Sequence, residues 1–123
     1  MPLEFAVSEG PIDAERHIVA VRGEIDLFTA PELKHVLAQC MEAGRVRIVV
    51  DLTEATFLDS TALGVLIAGV KRLRARGGEL ALVNVDENIA KTFEITGLDQ
   101  IFTILATREE ATHAIDAAPD AAG

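Results

Sequence analysis

Apolar and polar residues follow two periods along this 123-residue chain, and these periods divide it into strands and helices. Leu3, Phe5 and Val7 alternate with other residues, which predicts a short half-buried strand. A nearly continuous apolar run at residues 46–52 predicts a central strand covered on both faces. In residues 33–41, apolar side chains instead recur every three to four positions, which indicates an amphipathic helix.

The same patterns predict the order β-β-α-β-α-β-α-β-α for the whole chain. Strands that alternate with helices form parallel pairs, so we expect an α/β fold with a mixed sheet of about five strands and four helices. Residues 1–118 should form one domain, and residues 119–123 a flexible tail. The predicted strands are residues 3–7, 17–22, 46–52, 80–85 and 101–105, and the helices lie between Thr29 and Gly44, Thr61 and Arg76, Asp86 and Phe93, and after Thr107.

Three of the helix starts carry capping residues. Thr29 and Glu32 have the spacing of a capping box, and Thr107 and Glu110 repeat that spacing. Asp86 is suited to cap the short helix in front of Gly97. The link between the first two strands is short, which predicts that they form a hairpin.

Composition narrows the classes of function. The net charge of −9 argues against nucleic acid and anionic membranes as partners, because no surplus of cations is available to neutralise phosphates. A single Cys excludes an internal disulfide. The longest apolar run, residues 62–70, is about half of what a membrane span needs, and residues 1–4 lack the start of a signal peptide. A cytoplasmic domain without a membrane partner is the expectation.

Enzyme chemistry finds little support in the sequence. It contains no glycine-rich phosphate loop, and His17, His35 and His113 lie far apart, without the spacing of a zinc site. Cys40 falls on the apolar face of its helix, which predicts a buried, inert thiol. No catalytic residue, cofactor or metal is therefore expected.

Acidic residues follow the predicted strands, at the edge of an α/β sheet where ligands bind. A metal site there is conceivable, but structural roles are favoured, with Asp51 ending a strand and Asp59 capping a helix. The acids in question are Glu24, Asp26, Asp51, Glu54 and Asp59.

Ser60 stands at the start of the strongest predicted helix, either as its cap or as a functional hydroxyl. Ala62, Val65 and Gly69 form a second apolar stripe of small residues on that helix, which suits a docking surface unless another helix covers it. A phosphate on Ser60 would add a charge of about −1.5 to −2 and would repel a partner docked beside Asp59. Ser60 is thus the candidate phosphoacceptor of a binding switch.

The stretch DSTALG at residues 59–64 resembles the signature of STAS domains, and specifically of bacterial anti-sigma factor antagonists. GEID at residues 23–26, GGEL at 77–80 and GL at 97–98 are similar to further segments of that family. The resemblance covers residues 3–117 and agrees with the predicted element order.

The resemblance implies a partner switch. Family members bind an anti-sigma factor that is also a serine kinase of the GHKL type, and they thereby free the sigma factor. The kinase phosphorylates the serine that matches Ser60, and a metal-dependent PP2C-type phosphatase removes the phosphate. The implied partner-binding residues are Asp26, Asp59, Ser60, Thr61, Ala62, Val65 and Gly69.

Ala62 departs from the family pattern, which has Gly there, and its methyl group is expected to tune partner choice or phosphorylation. Two other hypotheses compete with the switch. One is a response-regulator receiver phosphorylated on Asp51, although the acidic pair and late Lys of receivers have no counterparts here. The other is a constitutive STAS subunit of an ABC transporter or a stress-sensing complex.

Overall fold

Five strands form a single mixed sheet in the order β1-β2-β3-β4-β5, with helices on both faces. The computed structural model describes residues 4–116, and the predicted tail at residues 119–123 lies outside the described residues. The strands are β1 Ala6–Pro11, β2 Arg16–Ile25, β3 Arg47–Leu58, β4 Glu79–Val83 and β5 Thr103–Leu105, and the helices are α1 Ala30–Glu42, α2 Ser60–Ala75, α3 Glu87–Thr96 and α4 Arg108–Asp116.

The sheet confirms the predicted α/β class and element order. β1 and β2 form the expected antiparallel hairpin, and all other neighbouring strands are parallel. Several of the predicted bounds are wrong, and three strands differ most. β1 continues past Val7 to Pro11. β2 continues through the expected loop at residues 23–26 as far as Ile25, and β3 continues past Leu52 to Leu58, because the two strands extend together and pair Ile25 with Leu58.

The two faces of the sheet carry separate hydrophobic clusters. Ile48 and Val50 of β3 pack in the larger cluster, together with side chains of α1, α2 and α3. Val49 points the other way and packs with Ala111 and Ile115 of α4. Burial on both faces explains why the start of β3 reads as a continuous apolar run instead of an alternating one.

Gly78 lies in close contact with the backbone at the start of β3. The backbone N–H of Glu79 donates to the carbonyl oxygen of Val46 at 2.9 Å, which joins the start of β4 to the start of β3. An ideal Cβ built on Gly78 would lie 1.9 Å from that same oxygen. Only glycine fits at this position without a shift of the backbone.

Among residues 4–116, no helix combines the length and the apolar character that crossing a bilayer requires.

Candidate functional site

Asp59 makes the turn from β3 into α2. Its backbone is extended, with φ −97° and ψ −175°, and its carboxylate accepts a hydrogen bond from the backbone N–H of Ala62 at 3.0 Å. Asp59 is therefore the N-cap, as the structural interpretation of this acid predicted. Ser60 is the first residue of the helix and not its cap.

The side chain of Ser60 is accessible to solvent. Ser60 is exposed, and its side chain makes no hydrogen bond within residues 4–116. The first N–H groups of a helix have no partner inside it, and the Asp59 carboxylate takes only that of Ala62. The N–H groups of Ser60 and Thr61 remain beside the hydroxyl at the positive end of a 16-residue helix.

Asp26 organises the loop between β2 and α1. Its carboxylate accepts from the backbone N–H groups of Phe28 at 2.9 Å and Thr29 at 3.1 Å. These hydrogen bonds, that of Phe28 first, lower the pKa of Asp26 below its ordinary value. The Thr29 hydroxyl donates to the carbonyl of Glu24 and makes no capping bond, so the capping box predicted for Thr29 and Glu32 is wrong.

One hydrogen bond holds the Asp26 loop and the start of α2 side by side. The backbone N–H of Asp59 donates to the carbonyl oxygen of Ile25 at 3.1 Å, one residue before Asp26 and one before Ser60. Ile25 and Leu58 are the last paired residues of β2 and β3, so this hydrogen bond continues the pairing of the two strands by one residue. Asp26 and Ser60 therefore belong to the same carboxyl edge of the sheet.

Apolar side chains are exposed at this edge. Leu27 and Phe28, in the loop after β2, are 62% and 85% exposed, and Phe57, near the end of β3, is 49% exposed. Exposed apolar groups that gather in one region mark an interaction surface. Sequence reasoning missed these residues, although two adjacent apolar residues between a strand and a helix cap were a visible signal.

A groove of about 230 Å³ runs between α1 and α2 next to Ser60. Val65 is half-buried and lines it, and Gly69 is buried beneath it. Its lining consists of apolar and small residues with two cations: Lys34, Leu37, Ala38, Met41, Thr61, Gly64, Val65, Ala68, Gly69 and Arg72. Helix α1 therefore supplies one wall of the groove and α2 the other.

The stripe of Ala62, Val65 and Gly69 is largely covered within the domain, which is the alternative to a docking surface that the sequence left open. Ala62 has no exposed surface and packs in the core, and α1 covers Gly69, whose ideal Cβ would lie 3.6 Å from a methyl carbon of Leu37. An effect of the Ala62 methyl on partner choice or phosphorylation would therefore have to act from beneath the surface. The accessible side of α2 runs instead through Ser60, Thr61, Gly64, Val65 and Ala68.

Asp51 does not end a strand, because it lies inside β3 on the face covered by α4. Asp51 is 6% exposed. Its carboxylate accepts hydrogen bonds from the backbone N–H and the hydroxyl of Thr53 and, at 2.5 Å, from the guanidinium of Arg108. Burial alone would raise the pKa of Asp51, but the hydrogen bonds from Thr53 and Arg108 outweigh it and lower the pKa. This carboxylate links β3 to α4.

The acids of the carboxyl edge do not assemble into a metal-ligand cluster within residues 4–116. Within the described residues, three potential metal ligands do meet at the opposite end of β2: Glu9, His17 and Cys40. Cys40 is buried as predicted, and burial, followed by the charge of Glu9, raises the pKa of its thiol to about 11.

This geometry defines an α/β domain whose carboxyl edge presents a serine at a helix start, and comparison with known proteins identifies its family. The STAS domain profile matches residues 9–111. An anti-sigma-B factor antagonist of Listeria monocytogenes is 39% identical over 75% of this chain and 81% of its own length. The namesake in Staphylococcus aureus is 37% identical over 70% of this chain and 80% of its own length.

A solved structure agrees with the sequence relatives. The crystal structure of an anti-sigma factor antagonist from Mycobacterium paratuberculosis matches with a TM-score of 0.81 and 27% identity, over 92% of this chain and 95% of that one. The chain belongs to the STAS domain family and is related to the bacterial anti-sigma factor antagonists. Because the chain belongs to the STAS family, we reject the receiver hypothesis. Asp51, its candidate phosphoacceptor, is instead hydrogen-bonded within the fold.

Proposed function

We propose that this chain is an anti-sigma factor antagonist whose unphosphorylated form binds an anti-sigma factor serine kinase and so releases a sigma factor. Phosphorylation of Ser60 ends that binding. The observation that carries the proposal is the exposed hydroxyl of Ser60 at the start of α2, on an edge that also exposes Leu27, Phe28 and Phe57. The names of the curated relatives support the same class of function.

The chemistry assigned to Ser60 is phosphoryl transfer from ATP held by the partner. The Ser60 Oγ forms the new P–O bond, the bond from the γ-phosphorus to the departing ADP oxygen breaks, and the hydroxyl proton passes to a base of the kinase. This chain contributes the acceptor and no nucleotide site. A GHKL-type kinase is the proposed partner, and a PP2C-type phosphatase returns Ser60 to the hydroxyl form by hydrolysis.

The fold accommodates a phosphate on Ser60. The N–H groups of Ser60 and Thr61 lie beside the new oxygens, and the positive end of α2 favours negative charge. The N-cap bond from Ala62 to Asp59 stays in place, because it uses a different N–H group. Phosphorylation therefore alters the surface of the domain and leaves its packing intact.

A bound partner does not accommodate that phosphate. The apolar groups of the partner would rest on Leu27 and Phe28. They would remove the dianionic phosphate on Ser60 from water, beside the carboxylates of Asp26 and Asp59. A penalty of about 3 kcal/mol lowers affinity by about a hundredfold. A charge change at one atom thus separates the two proteins without a change of fold.

Each residue of the partner-binding set has a separate role in the proposal. Ser60, Thr61 and Val65 touch the partner along the accessible side of α2 and the groove. Asp26 and Asp59 hold the two segments of the edge in place through their backbone hydrogen bonds. Gly69 keeps the groove open and Ala62 fixes α2 to the core, so these two act from beneath the surface.

The test uses the purified chain, its cognate anti-sigma factor and ATP. The chain has only two serines, Ser8 and Ser60, and both are exposed, so fragment-ion mass spectrometry that separates Ser60 from the adjacent Thr61 identifies the site. We expect one phosphate on Ser60 and none on the Ser60→Ala variant. Ser60→Asp should bind the anti-sigma factor about a hundredfold more weakly, whereas Ser8→Asp, the matched control, should bind like the unaltered chain.

Two results would contradict the proposal. One is phosphate on Ser8 or a threonine with Ser60 unmodified. The other is full-strength binding of the anti-sigma factor by Ser60→Asp. Co-purification with a transporter ATPase, with no binding to an anti-sigma factor, would favour the constitutive subunit instead.

A further inference from the structure

Three side chains with metal-ligand chemistry meet at the end of β2 opposite to Ser60. Glu9 belongs to β1, His17 to β2 and Cys40 to the last turns of α1. In the β1–β2 hairpin Pro11 pairs with His17 and Glu9 pairs with Val19, so Glu9 and His17 are diagonal neighbours on one face. Val19 packs in the cluster that includes α1, which identifies this face as the one that Cys40 covers.

The ligand atoms of the three residues are close together. One ring nitrogen of His17, one carboxylate oxygen of Glu9 and the Sγ of Cys40 all lie within 4.8 Å of one another. His17 Nε2 and Glu9 Oε1 also share a hydrogen bond. The three residues line a cleft whose remaining walls are Gln39, Ala43 and Arg45.

His17 is the observation that separates this group from ordinary packing. It is 6% exposed, and its Nδ1 has no hydrogen-bond partner within residues 4–116. Buried polar atoms are nearly always satisfied, and leaving one unpaired carries a free-energy penalty. A ligand in the cleft would remove this penalty, either by binding Nδ1 directly or by reorienting the ring.

The donor set selects the kind of ligand. A thiolate, an imidazole and a carboxylate are the three donor types of protein zinc sites, with bonds of about 2.0–2.3 Å and tetrahedral geometry. We propose that Glu9, His17 and Cys40 bind one zinc ion, with a water molecule as the fourth ligand. Glu9 is exposed, so its side chain is free to adjust to the ion.

The charge and proton balance of the site is simple. Zinc displaces the proton of the Cys40 thiol, which passes to water, and binds one ring nitrogen of neutral His17, whose single ring proton stays on the other nitrogen. Two anionic ligands then neutralise the two charges of the ion. The Arg45 guanidinium donates to the carbonyl oxygens of Asp13 and Ala14 and lies in the wall of the same cleft.

This site is independent of the proposed switch. His17 is the second residue of β2, whereas Ile25, which bonds to Asp59 beside Ser60, is the last. A chain that binds no kinase could still bind zinc, and a chain that binds no zinc could still be phosphorylated. The two proposals therefore fail separately.

The test is metal titration of the full chain, with Co²⁺ as a spectroscopic substitute for Zn²⁺. We expect one equivalent of Co²⁺ to give a thiolate-to-cobalt charge-transfer band, and Zn²⁺ to abolish it. Loss of an outer-shell partner typically costs about 10- to 100-fold in affinity, so Cys40→Ala and His17→Gln should cost more than about 100-fold. Glu9→Gln, on the exposed side, should cost about tenfold or more.

His35→Gln is the matched control, because His35 is an exposed histidine on the same helix as Cys40. It should bind zinc within twofold of the unaltered chain. Circular dichroism checks that the two buried variants fold, and Glu9→Gln keeps the test decisive if they do not. Cobalt bound without the charge-transfer band, no binding at all, or equal affinity of the unaltered chain and Glu9→Gln would overturn the proposal.

Discussion

The two ends of β2 differ in how far the side chains around them are exposed. At the carboxyl end, Phe28 and Ser60 are exposed, and their neighbours are held by backbone hydrogen bonds. At the amino end, His17 and Cys40 are buried, and nearby Gly78 touches the backbone of β3. One end can therefore change its charge without changing the fold, whereas substitutions at the other end change the packing.

The largest expected effect is at the amino end. Gly78→Ala places a Cβ about 1.9 Å from the carbonyl oxygen of Val46, so β4 must shift, and we expect a loss of about 3 kcal/mol in the free energy of unfolding. Urea unfolding followed by circular dichroism measures this in a chain without Trp or Tyr.

Gly64→Ala is the control for that substitution, because a Cβ on Gly64 meets no atom within 4 Å. It lies inside α2, so it should stabilise the chain by up to about 1 kcal/mol. Equal effects of the two substitutions would remove the contrast between the two ends.

Arg108→Met should cost about 1–2 kcal/mol, because the buried carboxylate of Asp51 loses a charged partner that is itself partly exposed. The pKa of Asp51 is lowered in the folded state, so the unfolded chain binds more protons at acid pH. The contribution of Asp51 is present above its unfolded pKa, about 3.9, and is lost as the pH falls through the lower folded value.

The same urea unfolding at neutral and acid pH checks this sign. The unaltered chain should lose more stability on acidification than the Asp51→Asn variant, because the side chain at position 51 no longer titrates in that variant. A larger acid loss in Asp51→Asn would show that the carboxylate is not stabilised by Thr53 and Arg108.

Asp59→Ala should cost about 1 kcal/mol, because α2 loses its N-cap bond to Ala62. Asn also caps helices well, so Asp59→Asn should stay within about 0.5 kcal/mol of the unaltered chain. If the proposed switch is correct, Asp59→Ala should also weaken binding of the anti-sigma factor, since Asp59 sets the start of α2.

The smallest effect on stability is expected at Phe28, which is 85% exposed. Phe28→Ser should change the free energy of unfolding by less than about 0.5 kcal/mol, yet weaken binding of the anti-sigma factor by more than about tenfold. Ile95, which is 79% exposed near the end of α3 and away from the carboxyl edge, gives the matched control in Ile95→Ser. A loss of stability at Phe28 without a loss of binding would reverse the contrast.

The fold could be predicted from the sequence because its signals are local. Two of the caps show how far this goes. Thr107 accepts a hydrogen bond from the N–H of Glu110, which is one half of its predicted capping box, whereas the Glu110 carboxylate accepts from the N–H of Ala106. Thr29 has the same spacing to Glu32 but makes no such bond, because Asp26, three residues earlier, takes the N–H of Thr29 and turns its hydroxyl toward β2.

The site was predictable in part. Ser60 and Asp59 are contiguous, and their placement at a helix start follows from the strand before them. The sequence left the burial of Gly69 undecided, because it depends on α1, which is distant in sequence. The meeting of Glu9, His17 and Cys40 depends on a hairpin and a helix together, and no spacing in the sequence reveals it.

The hydrogen bond from Asp59 to Ile25 also makes one amide proton informative. It closes the far end of the β2–β3 pairing, so it opens only when that end of the sheet frays or the whole domain unfolds. Hydrogen exchange at Asp59 thus reports the free energy of opening directly beside Ser60. Antibodies, partners or phosphate at Ser60 can be ranked by how far they slow the exchange of this single proton.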